Sequence, residues 1–332
     1  MKPTFRFPFL FSIFFLTSIS SLFAQVRLAP YKDDKAAAFS FTFDDGFRGQ
    51  VNNTIEIIEP LGIKGTFFLI PEAMEGPKKR AATINWEEAN ALLKQGHELG
   101  THGYVGQKLH EVDAETLDWL VNGSWKLIAE RTGQVPVSYA MPGGSKLTEP
   151  VVEKIQEHHY FIRDNNLLPQ ARRMTYGNAG KRKWNEEKMR EKILTSIDEG
   201  EWVIPMVHAI VSGYSPFDSK EQFRIHCEWL VSQQDKLWIA PMGTVGRYVW
   251  QREHSEIVMV KQSDHQLTFS IASSLEDVAT FNSDLTVVIP QANVQVARAL
   301  NGKGQALRHT VLQDKLLIEV PVDAGEVTVD WK

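Results

Sequence analysis

Two adjacent acids close an apolar run in AFSFTFDDGF (Ala38 to Phe47), and histidines close two others, His102 in GHELGTHG and His208 in WVIPMVH. A carboxylate and an imidazole are donor types that a borderline ion such as zinc accepts, which leaves a second carboxylate and a second imidazole to move protons. Taken alone, Asp44-Asp45 is also ordinary turn chemistry, because acids cap turns and helices through backbone amides. Three independent strand tips carrying these groups favour the chemical reading. A further polar tip, Arg163-Asp164, ends the run YFIRD.

The elements that must position these groups are seven short β-rich runs between Lys35 and Arg252: AAAFSFTF, KGTFFLI, HELGTH, VSYAMP, YFIRD, WVIPMVH and LWIAPM. Helical patterns follow near 52–61, 85–95, 113–132, 148–158, 185–199, 219–234 and 244–252. Asp113 and Ser219 stand as caps, and Gly62, Gly96, Gly133 and Gly200 as stops. Strands too apolar to have a wet face, alternating with helices, make a parallel sheet that is doubly wound or closed as a barrel. In either, the C-terminal strand ends share one face, so Asp44, Asp45, His102, Arg163 and His208 are expected to converge there. From Ser255 the pattern turns all-β, with a turn at Asn301-Gly302, and predicts a small sandwich whose buried face includes Val327, Val329 and Trp331. Packing and carbohydrate binding both stay open as its role.

The 332 residues, 43% hydrophobic, suffice for a large domain and a small one. Residues 1–24 carry Lys2 and Arg6, no acid, and an apolar block ending at Ala24. They read as a secretory signal peptide, with no stable membrane span after cleavage and a periplasmic or extracellular destination. The expected division is then 1–24, a barrel over 25–254 and a β-sandwich over 255–332. A formal net charge of −5, falling to −7 without the leader, gives no basis for nucleic-acid binding. The single Cys227 has no partner for an internal disulfide and falls with Phe223 and Leu230 on a helical face, as a buried hydrophobe.

The motifs resemble those of the polysaccharide deacetylases of carbohydrate esterase family four. The family's T-F-D-D-G is matched by Thr42 to Gly46, followed by KGTFFL from Lys64. Its G-H-E-I-G-N-H motif resembles GHELGTHGYVG from Gly96, its third motif is represented by AMPGG (Ala140 to Gly144), and its final strand-end histidine by His208. The resemblance implies a distorted seven-unit (β/α) barrel, followed here by the β-sandwich. It also implies a divalent metal, zinc, on Asp45 and His102, Asp44 as general base, His208 as general acid and the Gly143 amide as an oxyanion donor. The activity implied is hydrolysis of N-acetyl or O-acetyl groups on a polysaccharide or oligosaccharide.

The chain departs from the family at three points. The second metal histidine is replaced by Gly106, with His110 the nearest substitute. The third-motif arginine and aromatic are replaced by Ala140 and Gly143, with Arg163 a substitute cation for tuning Asp44. The D-x-x-D-W motif has no match, and MTYGNAGKRKW offers only a loop ending at Trp184. A carbohydrate-binding protein with a decayed metal site is therefore the rival reading. A glycoside hydrolase is less favoured, because adjacent acids in a strand point to opposite faces.

Overall fold

The computed structural model describes residues 25–76, 82–163, 171–175 (backbone), 185–211, 216–295 and 297–332. The proposed leader, Asp164 and Trp184 lie outside the described residues. In chain order the strands are β1 Arg27–Leu28, β2 Ala37–Phe39, β3 Thr42–Phe43, β4 Thr66–Leu69, β5 Glu98–Thr101, β6 Ser138–Tyr139, β7 Phe161–Ile162, β8 Ala171–Thr175, β9 Trp202–Val207 and β10 Leu237–Ile239. They are followed by β11 Ser255–Ser263, β12 Gln266–Ser273, β13 Leu285–Pro290, β14 Ala297–Leu300, β15 His309–Val311, β16 Lys315–Val320 and β17 Val327–Trp331.

Strands β2 to β10 form one parallel sheet covered by helices, a distorted (β/α) barrel. All seven expected runs appear in it. The eighth strand region, β8, carries the polar sequence ARRMT and gives no apolar signal. The first run keeps a single register against β9, with Ala38 opposite Trp202 and Phe43 opposite Val207. Its other side forks: Ala37–Phe39 pair with β10, while Thr42–Phe43 pair with β4. The fork explains why one apolar run becomes two short strands.

The period of two along this run decides what faces where. Phe39, Phe41 and Phe43 pack outward with Phe67 and Phe223 beneath the covering helices, with ring centroids 4.8 Å apart for Phe43 and Phe67. Alternate residues Ser40, Thr42 and Asp44, all buried, therefore project to the other face, inside the barrel. The helices start and stop much as their caps imply: Asn85 makes a reciprocal capping box with Glu88, and Asp113 accepts from the Thr116 amide. Ser219 accepts from Gln222, but the return arm of Gln222 reaches Asp218. Cys227 is buried, and burial pushes its thiol well above the usual range.

Helix Met242–Glu253 follows β10 and fills the interior, with Met242, Val245, Tyr248 and Val249 packed among Phe68, Phe161, Trp202 and Ile204. Its approach depends on two glycines. A Cβ at Gly243 would lie 2.2 Å from a Glu98 carboxylate oxygen, and one at Gly246 would lie 2.8 Å from three atoms of the Phe161 ring. Strands β1, β13, β16 and β15 form one antiparallel sheet, and β11, β12, β17 and β14 a second. Their shared core includes Leu267, Ile289, Ile318, Val327, Val329 and Trp331. Arg27–Leu28, ahead of the barrel in sequence, pairs with β13 and so belongs to the first of these sheets.

Alanine in place of Gly246 should improve helix propensity by about 1 kcal/mol but overpack a ring with no room to retreat, at about 1–3 kcal/mol. The expected outcome in a urea melt is net destabilisation, and a stabilised Gly246→Ala would show that the helix sits further from β7.

Candidate active site

Asp44 follows β3 directly, and its amide donates to the Val207 carbonyl at 2.8 Å, so the first acid is fixed against the strand that delivers His208. Asp44 is 1% exposed. Its carboxylate receives both terminal nitrogens of Arg163, Nη1 to Oδ1 and Nη2 to Oδ2, each at 2.6 Å. Arg163 Nη1 also donates to Thr42 Oγ1 at 2.8 Å, and that hydroxyl donates to the Pro205 carbonyl at 2.6 Å. The guanidinium lies 5.1 Å over the Phe68 ring. Arg163 is therefore no surface arginine, and it supplies the cation that Ala140 does not.

Burial by itself would raise the Asp44 pKa. The charge and hydrogen bonds of Arg163, helped by His102 and His208, outweigh it and hold the acid at about 2. Asp44 is thus an anion near neutral pH.

Asp45 would point away from Asp44 if the strand continued. The strand ends there instead: Asp45 adopts φ 70° and Gly46 φ 62°, two successive left-handed residues. Aspartate tolerates this conformation better than most side chains, and glycine adopts it freely. The turn swings Asp45 to the side of His102, whose Nε2 lies 3.5 Å from Asp45 Oδ1 and 3.9 Å from Asp44 Oδ2. His208 Nε2 lies 4.0 Å from Asp45 Oδ2. Asp44, Asp45, His102, Arg163 and His208 are thus brought together.

The orientation of His102 is set from behind. Its Nδ1 lies 2.8 Å from the Ala140 carbonyl oxygen, a contact that requires the proton on Nδ1. The ring thereby presents Nε2 to two carboxylates. Such an arrangement is repulsive unless a cation or a proton lies between them. The 3.5 Å separation is long for a hydrogen bond and matches the edge of a tetrahedral zinc sphere, about 3.4 Å for bonds of roughly 2.1 Å. Asp45 and His102 therefore fit two coordination positions.

A third protein ligand is not among the described residues, where no group of three or more His, Cys, Asp or Glu is placed to hold a metal. Gly106 is open, with nothing within 4 Å of a Cβ built on it. His110 is engaged elsewhere, accepting from the Lys146 amide at 3.1 Å and lying 3.7 Å from Glu111. His97 accepts from the Gly65 amide and pairs with Glu59, a structural role. Gly143 is exposed in the turn just after Ala140 and Pro142.

Sequence reasoning missed Gln50. This residue is fully buried, and its Nε2 donates to the backbone carbonyls of both Asp44 and His208. One amide thereby ties the loop of the acids to the loop of the second histidine. Nothing in the sequence signals this, because the contact joins segments 158 residues apart.

The described residues form a (β/α)-barrel fold with two carboxylates and two imidazoles gathered at the strand ends. Residues 31–161 match the family model described as polysaccharide deacetylase. A protein from Mycobacterium smegmatis described as a polysaccharide deacetylase shares the fold, with TM-score 0.51 and 14% identity over 68% of this chain and 93% of that one. A family 4 acetyl xylan esterase from Clostridium thermocellum, solved with cobalt, gives TM-score 0.46 at 13% identity, covering 63% and 89%. A gellan lyase from Bacillus sp is 24% identical over 343 residues, covering 92% of this chain but only 13% of that curated relative's length.

Removing one partner of a buried ion pair strands the other charge. Arg163→Met should therefore cost about 3–5 kcal/mol in a chemical melt, and the double variant Asp44→Asn/Arg163→Met should cost less than Arg163→Met alone. Additive losses would mean that the pair is not coupled as the geometry requires.

Proposed function

We propose that the chain is an exported, metal-dependent deacetylase that removes acetyl groups from the nitrogen or oxygen of a glycan. The observation that carries this reading is the placement of His102 Nε2 within 3.9 Å of both Asp44 and Asp45 while Arg163 holds Asp44 ionised. Residues 25–254 would carry the chemistry and 255–332 the β-sandwich, with residues 1–24 as the export signal. Among the described residues no helix is long and apolar enough to cross a membrane.

Asp45 and His102 would hold the ion, zinc by the donor chemistry. When bound, a divalent ion supplies Lewis-acid polarisation of the acetyl carbonyl and acidifies water, which an acceptor with a pKa near 2 needs. Asp44, fixed by Arg163 and ionised before the reaction, takes the proton from the attacking water. His208, on the Asp45 side of the site, protonates the departing amine or alcohol. The amide of Gly143 is a donor for the carbonyl oxygen as negative charge builds on it.

Asp44→Asn and His208→Ala should each lower acetate release by about 10²–10⁴-fold while bound metal is retained. Asp45→Ala and His102→Ala should lower metal content and turnover together. Elemental analysis beside an acetate assay on acetylated oligosaccharides checks this, and equal metal loss in all four variants refutes the division of roles.

A second reading, a glycan-binding protein with a weakened metal site, is favoured by one observation, the open position at Gly106. Gly106→His should raise zinc affinity by ~10-fold or more if the loop delivers its side chain to the ion. Turnover rising with zinc occupancy identifies a weakened enzyme. Restored zinc binding with flat turnover identifies the binding protein.

A further inference from the structure

β3 ends at Phe43 and β9 at Val207, and the Asp44 amide bonds the Val207 carbonyl just past their paired ends. Beyond that point the two backbones part. One turns left-handed at Asp45 and Gly46 and enters a helix at Arg48, while the other carries His208 into segment 208–211, where Val211 takes φ 66°. A β-branched residue rarely adopts that conformation, so the segment has to be held by groups outside it. The helix supplies them. It runs from Arg48 to Ile58 with Val51–Ile55 wound as a wider π-turn, and Gln50 and Asn53, three residues apart, stand on neighbouring faces. Gln50 Nε2 donates to the His208 carbonyl, and Asn53 Nδ2 to the Ile210 carbonyl at 2.9 Å.

The chemistry of the acceptors fixes which end of each amide faces them. A carbonyl oxygen only accepts, so the nitrogen end must point at it. Gln50 meets two such oxygens, since its Nε2 also donates to the Asp44 carbonyl, and the two N–H bonds of one amide diverge at a fixed angle. The buried Oε1 of Gln50 has no partner among the described residues, so the amide is oriented by its nitrogen alone. One planar group thus spaces the backbone of Asp44 from that of His208. Asn53 acts on the His208 segment, on the peptide just before the left-handed Val211. The helix opens just past the Asp45–Gly46 turn, so this brace is carried by the same short segment as the two acids.

We propose that Gln50 and Asn53 are positioning residues, which hold the His208 imidazole in a fixed place opposite Asp44 by gripping the carbonyls of residues 208 and 210. The catalytic meaning of this brace rests on the deacetylase reading, with His208 as general acid and Asp44 as base. The grip itself does not. In that reading His208 gives its proton to the leaving nitrogen as the C–N bond breaks, so a displaced acid harms a substrate in proportion to its leaving group's need for a proton. An amine has to be protonated to depart, whereas a nitrophenolate leaves as the anion. Gln50 bears on both the base and the acid, and Asn53 bears on the acid.

Two measurements on the full chain test this. Amide hydrogen exchange, read without substrate, should quicken at residues 209–211 by ~5-fold or more in Asn53→Leu and in Gln50→Met, which keep the side-chain shape and remove the donor without adding charge. Asn53 is only half-buried, so its variant is expected to fold even if Gln50→Met does not. Turnover of zinc-loaded Asn53→Leu should fall by ~10-fold or more on an N-acetylated oligosaccharide and by less on 4-nitrophenyl acetate, with KM and zinc content held. Gln50→Met should lose turnover on both substrates. A merely structural role for Asn53 would lower the two substrates alike. That outcome, or unchanged exchange at 209–211 in both variants, overturns the proposal. An unmutated chain that releases no acetate from either substrate overturns the deacetylase reading instead, and the exchange result alone then decides whether the grip exists.

Discussion

The Asp44–Arg163 pair is the interaction on which the site depends. An isolated carboxylate at 1% exposure would shed its charge by taking up a proton. The guanidinium prevents this with two 2.6 Å hydrogen bonds, and at an effective dielectric near 20 the attraction at about 4 Å between charge centres is roughly 4 kcal/mol. The pair also joins elements that are distant in sequence. Arg163 comes from the end of β7, Asp44 from the end of β3, and Thr42 passes the connection to Pro205 in β9. A site assembled this way is only as rigid as the barrel, and the barrel in turn relies on helix Met242–Glu253 filling its interior.

Around that pair, backbone geometry does the aiming. The left-handed residues Asp45 and Gly46 turn the second carboxylate to the same side as the first, the Ala140 carbonyl fixes which nitrogen of His102 faces them, and Gln50 fastens the Asp44 and His208 loops together. On the proposed reading, the coordination shell would be thinner than the pattern the resemblance implies. Two protein donors give an ion less chelation than three, so metal exchange and metal affinity are the properties in which this chain should differ from relatives that keep the second histidine.

Much of this was legible in the sequence because strand tips in a parallel barrel share a face. Asp44, His102, Arg163 and His208 announce themselves by ending apolar runs, and the period of two that buries Phe39, Phe41 and Phe43 also sends Asp44 inward. Two apolar-run readings needed the structure. The first run forks between β10 and β4, a non-local choice, and the polar β8 is held by pairing with β9 and not by its own hydrophobicity. The role of Arg163 could be raised from sequence but not decided, because the alternative partner Asp164 is adjacent in the chain while Asp44 is 119 residues away. Gln50 could not be found at all, since a glutamine in the first turn of a helix ordinarily faces solvent.

The most direct test is anomalous diffraction at the zinc edge from crystals of the unmutated chain grown with zinc. The account predicts one strong peak within bonding distance of both Asp45 Oδ1 and His102 Nε2, with Asp44 still paired to Arg163. A peak held by His110, or an Asp44 carboxylate drawn off Arg163 onto the ion, would contradict it.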